Sequence, residues 1–223
     1  MRNVFKLFMT ACLLVSVAMT GVAQKDYSKS EGLLKYVDPY IGSGFHGHVF
    51  VGTSVPYGMV QVGPNNIHKG WDWCSGYHYS DSILIGFSQT HLNGTGCTDL
   101  GDIMIMPMNE IRTERGKQSD ISNGYASKYS HENEIARPEY YSLLVERYNI
   151  KAEMTATDRV GFHRYTYPAG KPASILVNLH EGNSYTKAKM CYVRKVDDYT
   201  IEGYRYSHDW SPNRKVYFVL KAD

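Results

Sequence analysis

The second half of the chain repeats a short alternating pattern, and this repetition constrains the fold more than any other feature. Apolar and polar residues alternate in seven segments, which turn-forming residues separate at intervals of roughly ten residues. The segments are 141–148, 151–157, 161–167, 174–179, 189–196, 199–206 and 216–220. Such alternation turns one face of each segment toward a core and the other toward solvent, which is typical of antiparallel strands in a β-sandwich.

The first half adds short apolar runs at 59–62, 83–87 and 103–106. No segment of the sequence has the 3.6-residue periodicity of an amphipathic helix three turns long. The 19 tyrosines also favour strands, because aromatic side chains fit a pleated, half-buried surface. We therefore predict an all-β fold, an antiparallel β-sandwich, in which the charged and Gly/Ser-rich residues 109–139 form a long loop or excursion.

Residues 1–23 predict a signal peptide rather than a part of the fold. Arg2 and Lys6 precede an apolar run over 7–19, and Ala23 ends a group of small residues at the usual cleavage spacing. The run is too short to span a membrane, and no later segment resembles a membrane span. We therefore expect an exported protein, periplasmic or secreted, that is cleaved near Ala23.

The remaining chain is expected to contain a polar lead-in over 24–35 and one sandwich domain over 36–223. The last predicted strand runs almost to residue 223 without a closing turn, so we expect the domain to be incomplete at its C-terminal end. Removal of residues 1–23 leaves equal numbers of basic and acidic residues. A balance of this kind offers no electrostatic footprint for nucleic acid.

Neither a nucleotide site nor a metal site is predicted. Residues 42–47 read G-x-G-x-x-G, but they follow Asp38-Pro39 instead of a buried strand, and no helix comes after them, so we predict only a tightly bent loop. The histidines and cysteines of the first half lack the spacing that places two metal ligands on one face. In an exported chain Cys74 and Cys97, which flank loops of the same half, are the candidate disulfide pair.

Two loops have the composition of a sugar-binding surface. Residues 70–79 read GWDWCSGYHY, and residues 88–102 read SQTHLNGTGCTDLGD. An indole stacks on the apolar face of a pyranose, while carboxylates and imidazoles bind its hydroxyls. Asp72, Asp99 and Asp102 are candidate acids for glycoside hydrolysis, but the spacing singles out no catalytic pair.

A series of motifs resembles the N-terminal β-sandwich domain of glycoside hydrolase family 92, the calcium-dependent, inverting exo-α-mannosidases. The motifs follow one another as YVDPYIGSG (36–44), VPYGMVQ (55–61), GWD (70–72), SGY (75–77), GFSQTHLNGTG (86–96) and DLGDI (99–103). The chain departs from the family pattern at 51–53 and at position 89. Because Cys74 and Cys97 are not general in the family, the resemblance agrees with a disulfide restricted to a subgroup.

The resemblance implies a β-sandwich packed on an (α/α)6 barrel, with the active site in the cleft between them. The barrel would hold the catalytic acid, the catalytic base and most calcium ligands, so no catalytic residue and no metal ligand is expected in this chain. The substrate would be a mannose-containing oligosaccharide. The expected substrate-binding residues are His46, His48, Trp71, Asp72, His91, Gly94, Thr95, Gly96, Asp99 and Asp102.

The preferred hypothesis is therefore the substrate-binding domain of an exported α-mannosidase, inactive by itself. A stand-alone carbohydrate-binding sandwich and a truncated fragment without function are the alternatives. The sequence does not distinguish mannosidic linkages, and it is silent on oligomeric state and on the oxidation of Cys74, Cys97 and Cys191.

Overall fold

The computed structural model describes residues 32–183 and 187–223. The predicted signal peptide and residues 24–31 of the predicted lead-in lie outside the described residues. Within the described ranges, no helix has the length and hydrophobicity needed to cross a bilayer.

Thirteen strands and four short 3-10 turns occur among the described residues. The strands are β1 (Thr53–Ser54), β2 (Gln61–Asn66), β3 (Ile83–Ser88), β4 (Met104–Met108), β5 (Ser127–Lys128), β6 (Glu134–Arg137), β7 (Tyr140–Val145), β8 (Ile150–Ala156), β9 (Gly161–Thr166), β10 (Ser174–Asn178), β11 (Ala188–Lys195), β12 (Thr200–Ser207) and β13 (Arg214–Lys221). The 3-10 turns are Gly32–Tyr36, Trp71–Trp73, His131–Asn133 and Glu146–Tyr148.

The first sheet is antiparallel, with β1, β2, β3, β4 and β10 side by side and β5 paired with β3. Its central strands β3 and β4 are buried along almost their whole length. A continuous apolar run fits such a strand, because both of its faces are covered. The register places Phe87 opposite Ile105 and Leu176 opposite Met106.

The second sheet is an antiparallel meander in the order β6-β7-β8-β9. Its inward side chains, such as Leu143 and Ile150, share one apolar core with Leu84 and Phe87 of the first sheet. Two antiparallel sheets that bury their apolar faces against each other form a sandwich. The predicted fold class is therefore confirmed.

The third sheet is the meander β11-β12-β13, and none of its described residues belongs to the apolar core. Polar contacts attach this sheet to the residues of the other sheets and their loops. The guanidinium of Arg205 on β12 is fully buried, pairs with Asp102, and donates from Nε to Leu179 O at 3.0 Å. Arg214 on β13 pairs with Asp99, and its Nε lies 3.1 Å from Asp102 Oδ2. We call Asp99, Asp102, Arg205 and Arg214 the arginine clamp.

Residues 109–139 are more ordered than the sequence predicts, because β5 and β6 lie within them. The buried Glu134 on β6 accepts hydrogen bonds from Tyr141 Oη at 2.6 Å and Tyr77 Oη at 3.1 Å, and it lies 2.5 Å from His131 Nδ1. A strand that turns a carboxylate inward lacks the usual apolar alternation. This explains why the sequence predicts a loop, rather than strands, over 109–139. The contact with Tyr77 also anchors the loop over 70–79 to the second sheet.

Truncation of Phe87 to alanine is expected to destabilise the sandwich by about 3–5 kcal/mol, because it leaves a cavity between the two sheets. Phe87 is fully buried, whereas Phe162 on β9 is 54% exposed. Phe162→Ala therefore serves as the matched control and should change the free energy of unfolding by less than about 1 kcal/mol. Urea unfolding measures both values, and equal losses would contradict the sandwich core described here.

Candidate functional site

The loop over residues 42–48 carries two of the predicted site histidines. Gly42 has φ of +82°, and Val49 N donates to Gly42 O at 3.2 Å. A Cβ at Gly47 would lie 2.1 Å from Gly42 O, so only glycine permits the backbone to cross itself this closely. The predicted tight bend is thus present, and it directs His46 and His48 toward the 3-10 turn Trp71–Trp73.

Trp71 is held in one orientation although 57% of it is exposed. Its Nε1 donates to Gly96 O at 2.7 Å, and its ring meets the His48 ring edge-on with centroids 4.2 Å apart. A Cβ at Gly96 would lie 3.0 Å from Trp71 Cζ2 and Nε1, so the indole rests directly on the glycine backbone. The structure therefore presents a fixed, partly exposed indole.

Asp72 lies beside the indole, is hydrogen-bonded to His46 and has His48 close by. His46 Nδ1 is 2.5 Å from Asp72 Oδ1, and His48 Nε2 is 3.6 Å from the same oxygen. The hydrogen bond from His46 is the main cause that holds the pKa of Asp72 below its usual value. An ionised carboxylate of this kind accepts hydrogen bonds well. We call His46, His48, Trp71, Asp72 and Gly96 the Trp71 cluster.

Trp73 has a different environment from Trp71. Its ring stacks on His78 with centroids 4.3 Å apart, and its Nε1 donates to Asp81 Oδ2 at 2.8 Å. Lys69 completes the contact with an ion pair to Asp81 at 2.9 Å. These contacts give Trp73 a packing role.

His91 lies beneath the surface, at the base of an open cleft of about 400 Å³. Its Nδ1 donates to Gln61 O at 2.8 Å, and its Nε2 lies 3.1 Å from Asn65 Oδ1. Burial lowers the pKa of His91 to about 4, so the ring is neutral near pH 7. The cleft above it is lined by Phe50, Ser54, Val55, Pro56, Tyr57, Gly58, Gln61 and Asn93.

Asp99 and Asp102 are buried. Both are engaged in the arginine clamp, and Asp102 also accepts a hydrogen bond from Thr90 Oγ1 at 2.9 Å. Both carboxylates are almost fully buried and paired with arginine, which gives them a structural role in this chain. Their expected role in sugar binding stays a prediction.

Sequence reasoning missed Arg205 and Arg214, the partners of these aspartates. Arg205 stands between Tyr204 and Tyr206 in β12. A charged residue at an inward position of an alternating strand signals a buried partner, because a lone charge in a core is costly. That signal was present in the sequence, although it does not identify the partner.

Cys74, Cys97 and Cys191 are free thiols, so the predicted Cys74–Cys97 bond is not formed in this structure. Cys74 Sγ instead donates to Thr95 O at 2.9 Å, and burial raises the pKa of Cys74 to about 11. Gly94, Thr95 and Gly96 form the turn beneath the Trp71 cluster, where Gly94 N donates to His48 O at 2.8 Å. Among the described residues, no group of three His, Cys, Asp or Glu side chains is placed to hold a metal ion.

Comparisons with known proteins show which family the chain resembles. Residues 36–223 match the model of the glycosyl hydrolase family 92 N-terminal domain. A curated relative, an uncharacterized secreted glycosidase of Arthroderma benhamiae, is 30% identical over 154 residues, which cover 66% of this chain and 20% of that protein.

Solved structures give the same result. A family GH92 α-mannosidase of Bacteroides thetaiotaomicron in complex with mannoimidazole superposes with a TM-score of 0.81 and 39% identity, over 85% of this chain and 25% of that one. The GH92 family glycosyl hydrolase ccman5 superposes with a TM-score of 0.69 and 26% identity, over 83% of this chain and 26% of that one. The chain thus spans about a quarter of the length of these solved relatives.

Replacement of Gly96 by alanine is expected to shift the Trp71 ring by a few tenths of an ångström, because the new Cβ would lie 3.0 Å from Cζ2 and Nε1 of the indole. The weaker hydrogen bond to Gly96 O should change the fluorescence of Trp71 and lower the free energy of unfolding by at most about 1 kcal/mol. Gly44→Ala is the control, since a Cβ there would meet its nearest neighbour, Tyr79 Cβ, at 3.7 Å. Trp71→Phe gives the contribution of Trp71 to the total emission. Unchanged Trp71 emission in Gly96→Ala would contradict the tight contact.

The neutral, buried His91 is expected to make the fold sensitive to mild acid. Between the unfolded pKa of about 6.5 and the folded value of about 4, the unfolded chain binds the additional proton. The contribution of His91 is therefore complete above about pH 6.5 and is lost as the pH falls toward 4, by up to about 3 kcal/mol. Urea unfolding across this range measures the slope, which His91→Gln should flatten and the exposed-site control His180→Gln should leave unchanged.

Proposed function

We propose a role for this chain that follows from its family: it belongs to glycosyl hydrolase family 92, as an N-terminal domain. In this role the chain supplies the sugar-binding wall of an exported α-mannosidase. The substrate would be a mannose-containing oligosaccharide, bound beside the Trp71 cluster. The observation that carries the proposal is an exposed indole, fixed on Gly96, next to the ionised carboxylate of Asp72.

The chemistry of the Trp71 cluster suits a hexose. The apolar C–H face of a pyranose can pack on the exposed face of the Trp71 indole. Neighbouring hydroxyls can then donate to Asp72 and accept from His46, since charge-assisted hydrogen bonds of this kind are stronger than neutral ones. The hydrogen bonds that hold Trp71 and Asp72 before any sugar arrives reduce the ordering cost of binding.

We propose that the catalytic groups lie outside this chain. Inverting hydrolysis needs one carboxylic acid with a raised pKa and one ionised base. Of the three candidate aspartates, Asp99 and Asp102 are paired with arginines, and Asp72 is bound by histidines that lower its pKa. An (α/α)6 barrel in a longer protein would supply the acid and the base, in agreement with the greater length of the solved relatives.

Calcium would also be bound mainly by that barrel. Among the described residues no group of three His, Cys, Asp or Glu side chains is placed to hold a metal ion, and the three candidate aspartates are already paired with arginine or histidine. No step of sugar binding by this chain is therefore assigned to calcium. Export is supported by the predicted signal peptide and by the relative that is named as secreted.

Truncation of Trp71 to alanine is expected to weaken the binding of α-mannobiose by about tenfold or more, because the stacking surface is lost. Tyr199→Ala is the matched control, since Tyr199 is 63% exposed and Trp71 is 57% exposed. Isothermal titration of the folded chain measures both affinities. Equal affinities of the two variants would contradict the assigned site, and release of mannose by this chain alone would contradict the proposed division of roles.

A further inference from the structure

We infer that Arg205 and Arg214 are positioning residues for the sugar-binding wall. The arginine clamp fixes the loop over residues 94–103, and this loop holds the Trp71 ring in place. The effect on sugar affinity rests on the proposed function, whereas the effect on the position of Trp71 does not.

The turn over 94–96 contacts Trp71 and His48 of the Trp71 cluster, and also the neighbouring Cys74. Gly96 O accepts from Trp71 Nε1, and Gly94 N donates to His48 O at 2.8 Å. Thr95 O accepts a hydrogen bond from Sγ of Cys74, the residue that follows the 3-10 turn carrying Asp72. A displacement of this turn would therefore change the orientation of the indole and of the histidine that contacts it.

The segment that follows this turn has a costly backbone conformation. Leu100, Gly101 and Ile103 have φ values of +68°, +74° and +53°. A left-handed conformation is unfavourable for residues with a side chain, above all for β-branched isoleucine. Such residues persist only where the surrounding contacts over-determine them.

The arginine clamp supplies these contacts on both sides of Leu100 and Gly101. Asp99 binds Arg214 and accepts from Ser211 N at 3.1 Å, while Asp102 binds both arginines. The guanidinium group is planar and directional, so its pairs fix orientation as well as distance. Because the third sheet has no share in the apolar core, the position of this sheet is transmitted to the loop through the clamp.

The experiment compares Arg214→Met with Arg194→Met. Arg194 lies on the same sheet and pairs with Glu202, but this pair is exposed and remote from the core. Each chain is labelled with 5-fluorotryptophan, and the three fluorine resonances are assigned with Trp71→Phe, Trp73→Phe and Trp210→Phe. We expect Arg214→Met to shift the Trp71 resonance and to weaken α-mannobiose binding about tenfold, and Arg194→Met to leave both unchanged.

Arg214→Lys is the second variant, since it keeps the charge and removes the forked geometry. It should shift the Trp71 resonance in the same direction by a smaller amount. An unmoved Trp71 resonance in folded Arg214→Met would overturn the inference. Failure of both Arg214 variants to fold would also overturn it, because the arginine would then serve the fold as a whole.

The outcome for sugar binding is read separately. If the unmodified chain does not bind α-mannobiose, the proposed function fails, while the Trp71 resonance still decides whether the clamp positions the indole. If the unmodified chain binds and the Trp71 resonance moves without loss of affinity, the clamp does not position the wall for sugar and the inference is overturned.

Discussion

The ion pair between Arg205 and Asp102 is the contact on which the arrangement of the third sheet and the site loops depends. Both side chains are fully buried, and removal of one partner of such a pair costs about 3–5 kcal/mol, because the other charge stays in the core. Burial lowers the pKa of Arg205, while the charge of Asp102 acts in the opposite direction. Because arginine remains charged in proteins, the pair fixes the direction of the contact between the third sheet and the loop that carries Asp102. An apolar contact in its place would let the sheet and the loop slide past each other.

The site itself is built from close approaches at two glycines. Gly47 allows the histidine loop to cross itself, and Gly96 allows the Trp71 indole to lie on bare backbone. Neither contact buries much apolar surface, and both define where a ring or a hydrogen-bonding group stands. The sandwich therefore provides the rigid support, and a few glycines determine the shape of the surface that it carries.

The sequence predicts the fold class well because strand alternation is local. The predicted segments 151–157 and 161–167 alternate visibly, and the structure forms β8 (Ile150–Ala156) and β9 (Gly161–Thr166) there, each within one residue of the prediction. The sequence names Trp71, Asp72, His46 and His48 as site residues, but their convergence depends on the backbone crossing at Gly42 and Gly47, which the spacing does not show. The roles of Asp99 and Asp102 could not be predicted from spacing, since their arginine partners are 115 and 103 residues away along the chain. The position of His91 depends in the same way on Gln61 and Asn65, which a different strand brings to it.

The contact between Trp71 and Gly96 joins two positions that are 25 residues apart in the chain. A side chain at position 96 would place its Cβ 3.0 Å from the indole, so the Trp71 ring would have to move by a few tenths of an ångström. The two positions are therefore expected to change together in evolution, as one inherited unit.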